Sequence, residues 1–213
     1  MLTREIDKPL YESYSDDIPL FLKRIYAARG VSASQLSMAL PGLLKPNFDQ
    51  PNIALELLEQ CHIGDKHILI VGDFDADGAT ASAVAIKALR LMGAKHVDFL
   101  VPNRFKHGYG LSPEIVKEAK EEKEPDLIIT VDNGISSNEG TELARSLDID
   151  VIITDHHLPP NKLPNANAII NPNLRGCDFP SKNLAGVGVS FYLFSSLKTH
   201  LTKQGYFEKN NIQ

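Results

Sequence analysis

The sequence predicts an α/β domain built on a parallel sheet with helices on both faces, preceded by a helical extension. Short, continuously apolar runs recur at 68–71, 127–131 and 151–154, the pattern of strands buried on both sides. Each run ends in an acidic turn, at Asp73, Asp132 and Asp155. Helical stretches lie between them, and this alternation argues βαβ units, in which functional groups gather at the carboxyl ends of the strands. The expected division is residues 1–60 for the helical extension and 61–213 for the sheet domain.

The elements follow in order. Residues 1 to about 16 are polar and are expected to form a mobile tail. A helix is expected from Ile18 to Arg29, since Leu22, Ile25 and Tyr26 keep helical spacing and Gly30 terminates well. Ser34 to Leu40 and Ile53 to Cys61 are shorter helices on either side of the Pro41 to Pro51 loop. After the strand at 68–71 come a helix from Ala79 to Met92, a strand from Val97 to Val101 and a helix from Ser112 to Glu122. The charged run Lys117 to Glu124 belongs to a solvated helix end. The strand at 127–131 is followed by a helix from Ser137 to Leu147 and the strand at 151–154. Pro159, Pro160 and Pro164 bound a loop before a last strand at Ala168 to Ile170, and a final helix runs from Ser190 to Thr199.

Composition narrows the class. With 213 residues and 43% hydrophobic content the chain can bury one substantial core. Cys61 and Cys177 are isolated, with no paired spacing, and are expected to be buried as small apolar residues. No apolar run approaches the roughly 18 residues that cross a membrane, and no signal-peptide pattern is present, so the cytoplasm is the default compartment and no membrane partner is expected.

Asp73-Phe74-Asp75-Ala76-Asp77-Gly78 carries the chemistry. Residues two apart in an extended segment share a face, so the three acids are expected to point into one small volume. Carboxylates that close raise one another's pKa values, and a divalent cation keeps them ionised. The EF-hand loop opens with the same spacing, but its twelfth position needs a bidentate Glu and here holds Val84, after a strand instead of a helix. An aspartyl-phosphate hydrolase wants Thr or Val four residues after its nucleophile, where this chain has Asp77 or Ala79. A solvated turn explains one or two of the acids, not three in phase. If the three acidic turns share the carboxyl end of one sheet, they converge on one crevice.

The set Val71-Gly72-Asp73-Phe74-Asp75-Ala76-Asp77-Gly78-Ala79-Thr80, Val131-Asp132-Asn133-Gly134, Asp155-His156-His157 and Leu184-Ala185-Gly186-Val187-Gly188-Val189 resembles the DHH phosphoesterase superfamily. Pro102 to Ser112 and the segment Ile25 to Val31 are most similar to its bacterial single-stranded-DNA-specific exonucleases, and the resemblance covers residues 18–207. It implies a two-metal phosphodiesterase that uses Mn²⁺ or Mg²⁺. Such a pair supplies a strong nucleophile at neutral pH by acidifying water, and carboxylates with one or two imidazoles suit these ions better than a thiolate-rich zinc site would.

Residue by residue, the resemblance implies that Asp75 and Asp77 are ligands, one for each ion, that Asp132 bridges the two, and that His156 is the imidazole ligand of the second. Asp73 supports the first ion or its waters, Asp155 orients the histidines, and His157 contacts phosphate or donates a proton. Some relatives carry a further His ligand at the position of Val71. On the substrate side, Arg104 beside Asn103 offers a forked cation to a DNA phosphate, while His107 and Tyr109 stack on a base or sugar. Gly186 and Gly188, ahead of a helix, bring backbone N–H groups toward a phosphate, or simply allow close packing.

The implied substrate is single-stranded DNA, digested 5′ to 3′ to mononucleotides in repair and recombination, with a single-strand-binding protein and a helicase as partners. A hydrolase of small phosphates and a non-catalytic repair scaffold are the alternatives. Relatives of this kind continue, after the segment matching Gln204 to Phe207, into a motif that supplies one more Asp ligand and then into an oligonucleotide-binding module. The chain is therefore expected to be the amino-terminal portion of a longer enzyme, weakly active or inactive alone. Its net charge of −5 fits a protein whose basic DNA-binding surface lies largely on the remainder.

Overall fold

The computed structural model of the protein describes residues 4–36, 42–48, 51–103 and 107–212. By compactness the chain divides into two units, Met1–Lys45 and Pro46–Gln213.

In the first unit, α1 (Lys8–Glu12) and α2 (Leu20–Ala28) precede a short 3₁₀ turn, Ala33–Leu36. The polar stretch read as a tail holds α1 because the Asp7 side chain accepts the Leu10 N–H at 3.0 Å. Tyr14, buried, donates its hydroxyl to the Val31 carbonyl, and the buried Lys23 ammonium donates to the Tyr14 carbonyl and Asp16. The helix expected over 34–40 is a 3₁₀ turn where it can be followed, and residues 37–41 lie outside the described residues.

The second unit begins with α3 (Pro51–Ile63), so the boundary read at residue 60 falls inside a helix. Ala54, Leu55, Leu58 and Cys61 of α3 share a core with the sheet, which is why the division comes after Lys45. The sheet elements then run β1 (Ile68–Gly72), α4 (Ala76–Leu91), β2 (Val97–Leu100), α5 (Pro113–Glu122), β3 (Leu127–Val131), α6 (Asn138–Ser146), β4 (Asp150–Thr154), β5 (Ala168–Ile170), α7 (Gly186–Lys203) and α8 (Tyr206–Lys209). The five strands are parallel, in the order β2-β1-β3-β4-β5.

Alternation of side chains across the pleat splits the interior in two. Ile68, Ile70, Leu127, Ile129, Ile152 and Ile170 face α3, α4 and α7, whereas Leu69, Val71, Ile128, Val151 and Ile153 face α5 and α6. Each of these side chains is essentially inaccessible to water, worth about 1.5–3 kcal/mol apiece. Both cysteines are buried, Cys61 and Cys177 alike. Among the described residues no helix is long and apolar enough to cross a membrane.

The strand order matters for function. From β1 the chain steps one way to β2 and then returns past β1 to β3, β4 and β5. The connections leaving β1 and β3 therefore diverge, opening a crevice beyond the carboxyl ends of that pair, where α/β sheets place ligands.

Candidate metal centre

Register puts the acidic turns on one level. Gly72 pairs with Val131, Val131 with Thr154, and Thr154 with Ile170. The next residues, Asp73, Asp132, Asp155 and Asn171, thus leave four adjacent strands side by side at the switch point.

The three acids after β1 do not sit on an extended segment as expected. The strand ends at Gly72, whose missing side chain makes room for Ser82, and the chain turns at once into α4. Asp75 becomes the cap of that helix, accepting the Gly78 N–H at 2.9 Å, and Asp77 falls in its first turn. Asp73, buried at the strand end, accepts the Phe74 N–H at 2.7 Å. Asp77 points toward the start of α7, where its two oxygens accept the N–H groups of Gly186 and Val187 at 2.8 and 2.7 Å.

Asp132 is at the centre. It adopts a left-handed φ of +64°, is fully buried, and its Oδ1 has no hydrogen-bond partner. His156 Nε2 stands 3.1 Å from that oxygen and 3.8 Å from Asp77 Oδ2. Burial, followed by the charges of Asp77 and Asp75, pushes the Asp132 carboxyl up to about 7. A Cβ added to Gly186 would lie 2.0 Å from Asp132 Oδ1.

Asp155 organises the two histidines. Also buried, it accepts the backbone N–H groups of Ile135, His156 and His157 at 2.9, 2.7 and 3.1 Å. Its Oδ1 lies 2.7 Å from His157 Nδ1. Burial works against a charge on His157, but the hydrogen bond and charge of Asp155 outweigh it and raise the imidazole above its ordinary value.

Among the described residues, two groups of side chains could each hold an ion. Asp73, Asp75 and Asp132 offer ligand atoms within 4.8 Å of one another, as do Asp132, His156 and His157. Asp132 belongs to both, and its buried Oδ1, which accepts no hydrogen bond, is the kind of atom a cation satisfies. The residues fit a pair of hard divalent cations, with Asp77 beside the second group. Val71, where some relatives were expected to carry a ligand, points into the core under α5 and α6.

A cleft of about 850 Å³ opens from this cluster, lined by Asp73, Asp75, Tyr109, Ser136, Asn138 and His157 among others. Tyr109 is half exposed there, its ring edge-on to His157 with centroids 6.1 Å apart, and its hydroxyl 3.5 Å from His157 Nδ1. Burial, then the charge of Asp73, raises its phenol. His107 is engaged at both ring nitrogens: Nδ1 accepts the Asn103 N–H at 3.1 Å and Nε2 meets Glu118 at 3.1 Å. Arg104 lies outside the described residues.

The phosphate-cradle reading of Gly186 and Gly188 gives way to close packing. The Gly186 N–H is held by Asp77, and a Cβ at Gly188 would come within 2.5 Å of Leu184. Sequence reasoning gave Asn133 no role of its own within the motif Val131 to Gly134, and missed Asn171 and Asn173. Asn133 donates to the Val71 and Val131 carbonyls at 3.0 Å each, tying β1 to β3 at the switch point. Asn171 and Asn173 reach the carbonyls of the two histidines. The signal for Asn171 and Asn173 was the polar turn after the last strand, of the same form as the acidic turns.

A family model for the DHH family, N-terminal domain, matches residues 67–212. The chain belongs to the DHH family. Among DHH proteins it is 51% identical to the single-stranded-DNA-specific exonuclease RecJ of Escherichia coli over 211 residues, 98% of this chain and 36% of that protein. It is 47% identical to RecJ of Haemophilus influenzae over 209 residues, 96% of this chain and 35% of the relative. The chain thus spans about a third of the length of these relatives. Among solved structures, RecJ of Thermus thermophilus in complex with Mn²⁺ matches at a TM-score of 0.68 and 28% identity, covering 91% of this chain and 28% of that one. An exonuclease RecJ bound to manganese matches at 0.64 and 36% identity, over 72% and 38%. The DHH fold, with its parallel sheet flanked by helices, is shared with both.

Proposed function

We propose that the crevice at the carboxyl ends of β1, β3 and β4 is a two-metal phosphodiesterase site that hydrolyses single-stranded DNA from its 5′ end to mononucleotides. The observation that carries this reading is the sharing of Asp132 between two ligand groups. The similarity to RecJ exonucleases, two of them solved with manganese, supports it.

In this reading Asp73, Asp75 and Asp132 hold one ion, and Asp132, Asp77 and His156 the other. Bound together, Mn²⁺ or Mg²⁺ would acidify water and steady charge on the scissile phosphate. Asp155 fixes His157 through Nδ1, which leaves Nε2 to hold a proton or meet a phosphate oxygen. Tyr109 lines the cleft where the strand would run, and the resemblance assigns Arg104 and Asn103 to its backbone. The activity belongs to DNA repair and recombination in the cytoplasm, with a single-strand-binding protein and a helicase as partners.

Titration with Mn²⁺ tests the site and a 5′-labelled single strand tests the substrate. Two ions per chain, lost in Asp132→Asn, are expected. Binding of no ion would end the metal reading, and cleavage of duplex or of short nucleotides in preference to a single strand would end the exonuclease one.

A further inference from the structure

We propose that the turn Asn171-Pro172-Asn173 is a positioning device for the imidazoles of the candidate metal centre, acting on their backbone. The inference rests on the metal reading of that site. Each histidine is pinned twice. Asp155 accepts the N–H of His156 at 2.7 Å, and Asn173 Nδ2 donates to its carbonyl at 2.6 Å. Asp155 likewise accepts the N–H of His157 at 3.1 Å, and Asn171 Nδ2 donates to its carbonyl at 2.9 Å.

Holding the amide on each side of a Cα fixes the direction of Cβ, and with it where an imidazole can reach. His156 must stay near both Asp132 and Asp77 to share an ion, and a tilt of the main chain would carry its Nε2 out of range. The turn is itself braced. Asn171, buried, accepts the Asn173 N–H on Oδ1 at 2.8 Å, and Lys182 Nζ donates to the carbonyls of Pro172 and Cys177 at 2.6 and 2.7 Å. Groups that orient metal ligands typically cost 10–100-fold in metal affinity when removed.

The experiment is a double-mutant cycle on the folded chain, read by calorimetric Mn²⁺ titration and, as a spectroscopic signature, by the visible absorption of bound Co²⁺. Asn173→Asp keeps the shape and removes the donor, and Asn173→Ala is the second variant. Either is expected to weaken the Mn²⁺ site containing His156 by about 10–100-fold. In a His156→Ala background the same change should cost nothing further, and the Co²⁺ spectrum of Asn173→Asp should shift from that of the wild type toward that of His156→Ala. Equal losses in both backgrounds, or wild-type affinity and spectrum in Asn173→Asp, would overturn the proposal. Failure of the wild type to bind Mn²⁺ would overturn the metal reading and this inference with it.

Discussion

Gly186 lies against Asp132 so closely that a Cβ there would stand 2.0 Å from Oδ1 and 2.4 Å from Cγ. The carboxylate cannot retreat, since it leaves the end of β3 between β1 and β4. Gly186→Ala must therefore push α7 away from the site. We expect a stability loss of about 1–3 kcal/mol by urea denaturation, the usual scale of overpacking, together with weakened Mn²⁺ binding. An alanine variant that binds Mn²⁺ normally would show that the contact is slack.

Asp132 also sets a pH dependence. Its folded-state pKa of about 7 lies above the ordinary 3.8, so between these values the folded chain holds a proton that the unfolded chain has released. Stability of the metal-free protein then falls as pH rises from about 4 to 7, by up to about 4 kcal/mol for this group. Asp132→Asn should melt higher than wild type at pH 8 without metal, with the gap closing as pH falls toward 4. Excess Mn²⁺ should reverse the ranking at pH 8, and thermal melts at both pH values decide it.

The same proton must leave when a cation arrives. Below pH 7, Mn²⁺ affinity should drop by up to about tenfold per pH unit, with release of one proton. Calorimetry in two buffers of different ionisation enthalpy would reveal that proton as a difference in apparent heat. Identical heats would place the Asp132 carboxyl well below neutrality.

Asp77 has a structural duty besides any role toward an ion, because it supplies the cap that α7 lacks on Ala185. Asp77→Ala should destabilise the metal-free chain by about 1–2 kcal/mol, within the range for a lost helix cap, and Asp77→Asn should retain part of that. Thermal melts without metal separate this effect from ligand loss.

Much of this was readable from residue order. The runs of Ile and Val gave the strands, and the polar residues after them gave the level of the site, because a buried parallel strand admits few other patterns. The spacing of two at Asp75 and Asp77 fits a continued strand equally well, but Asp75 is also a good helix cap, and the local hydrogen bond to Gly78 wins. Gly186 could not be understood from its neighbours in sequence, since the atom it accommodates belongs to Asp132. The partner of His107, Glu118 on α5, is likewise not announced by its neighbours in sequence. Asn171 and Asn173 were legible in principle, for they follow β5 as Asp155 follows β4.

The left-handed backbone of Asp132 bears on how the centre should be dissected. Only Gly, Asn and Asp visit that region readily, so an alanine there adds roughly 1–2 kcal/mol of backbone penalty to whatever the carboxylate was contributing. Scanning with alanine would blend a bent main chain with a missing ligand and overstate the ligand. Asparagine keeps the bend and removes only the charge, which makes it the fair comparison at this one position.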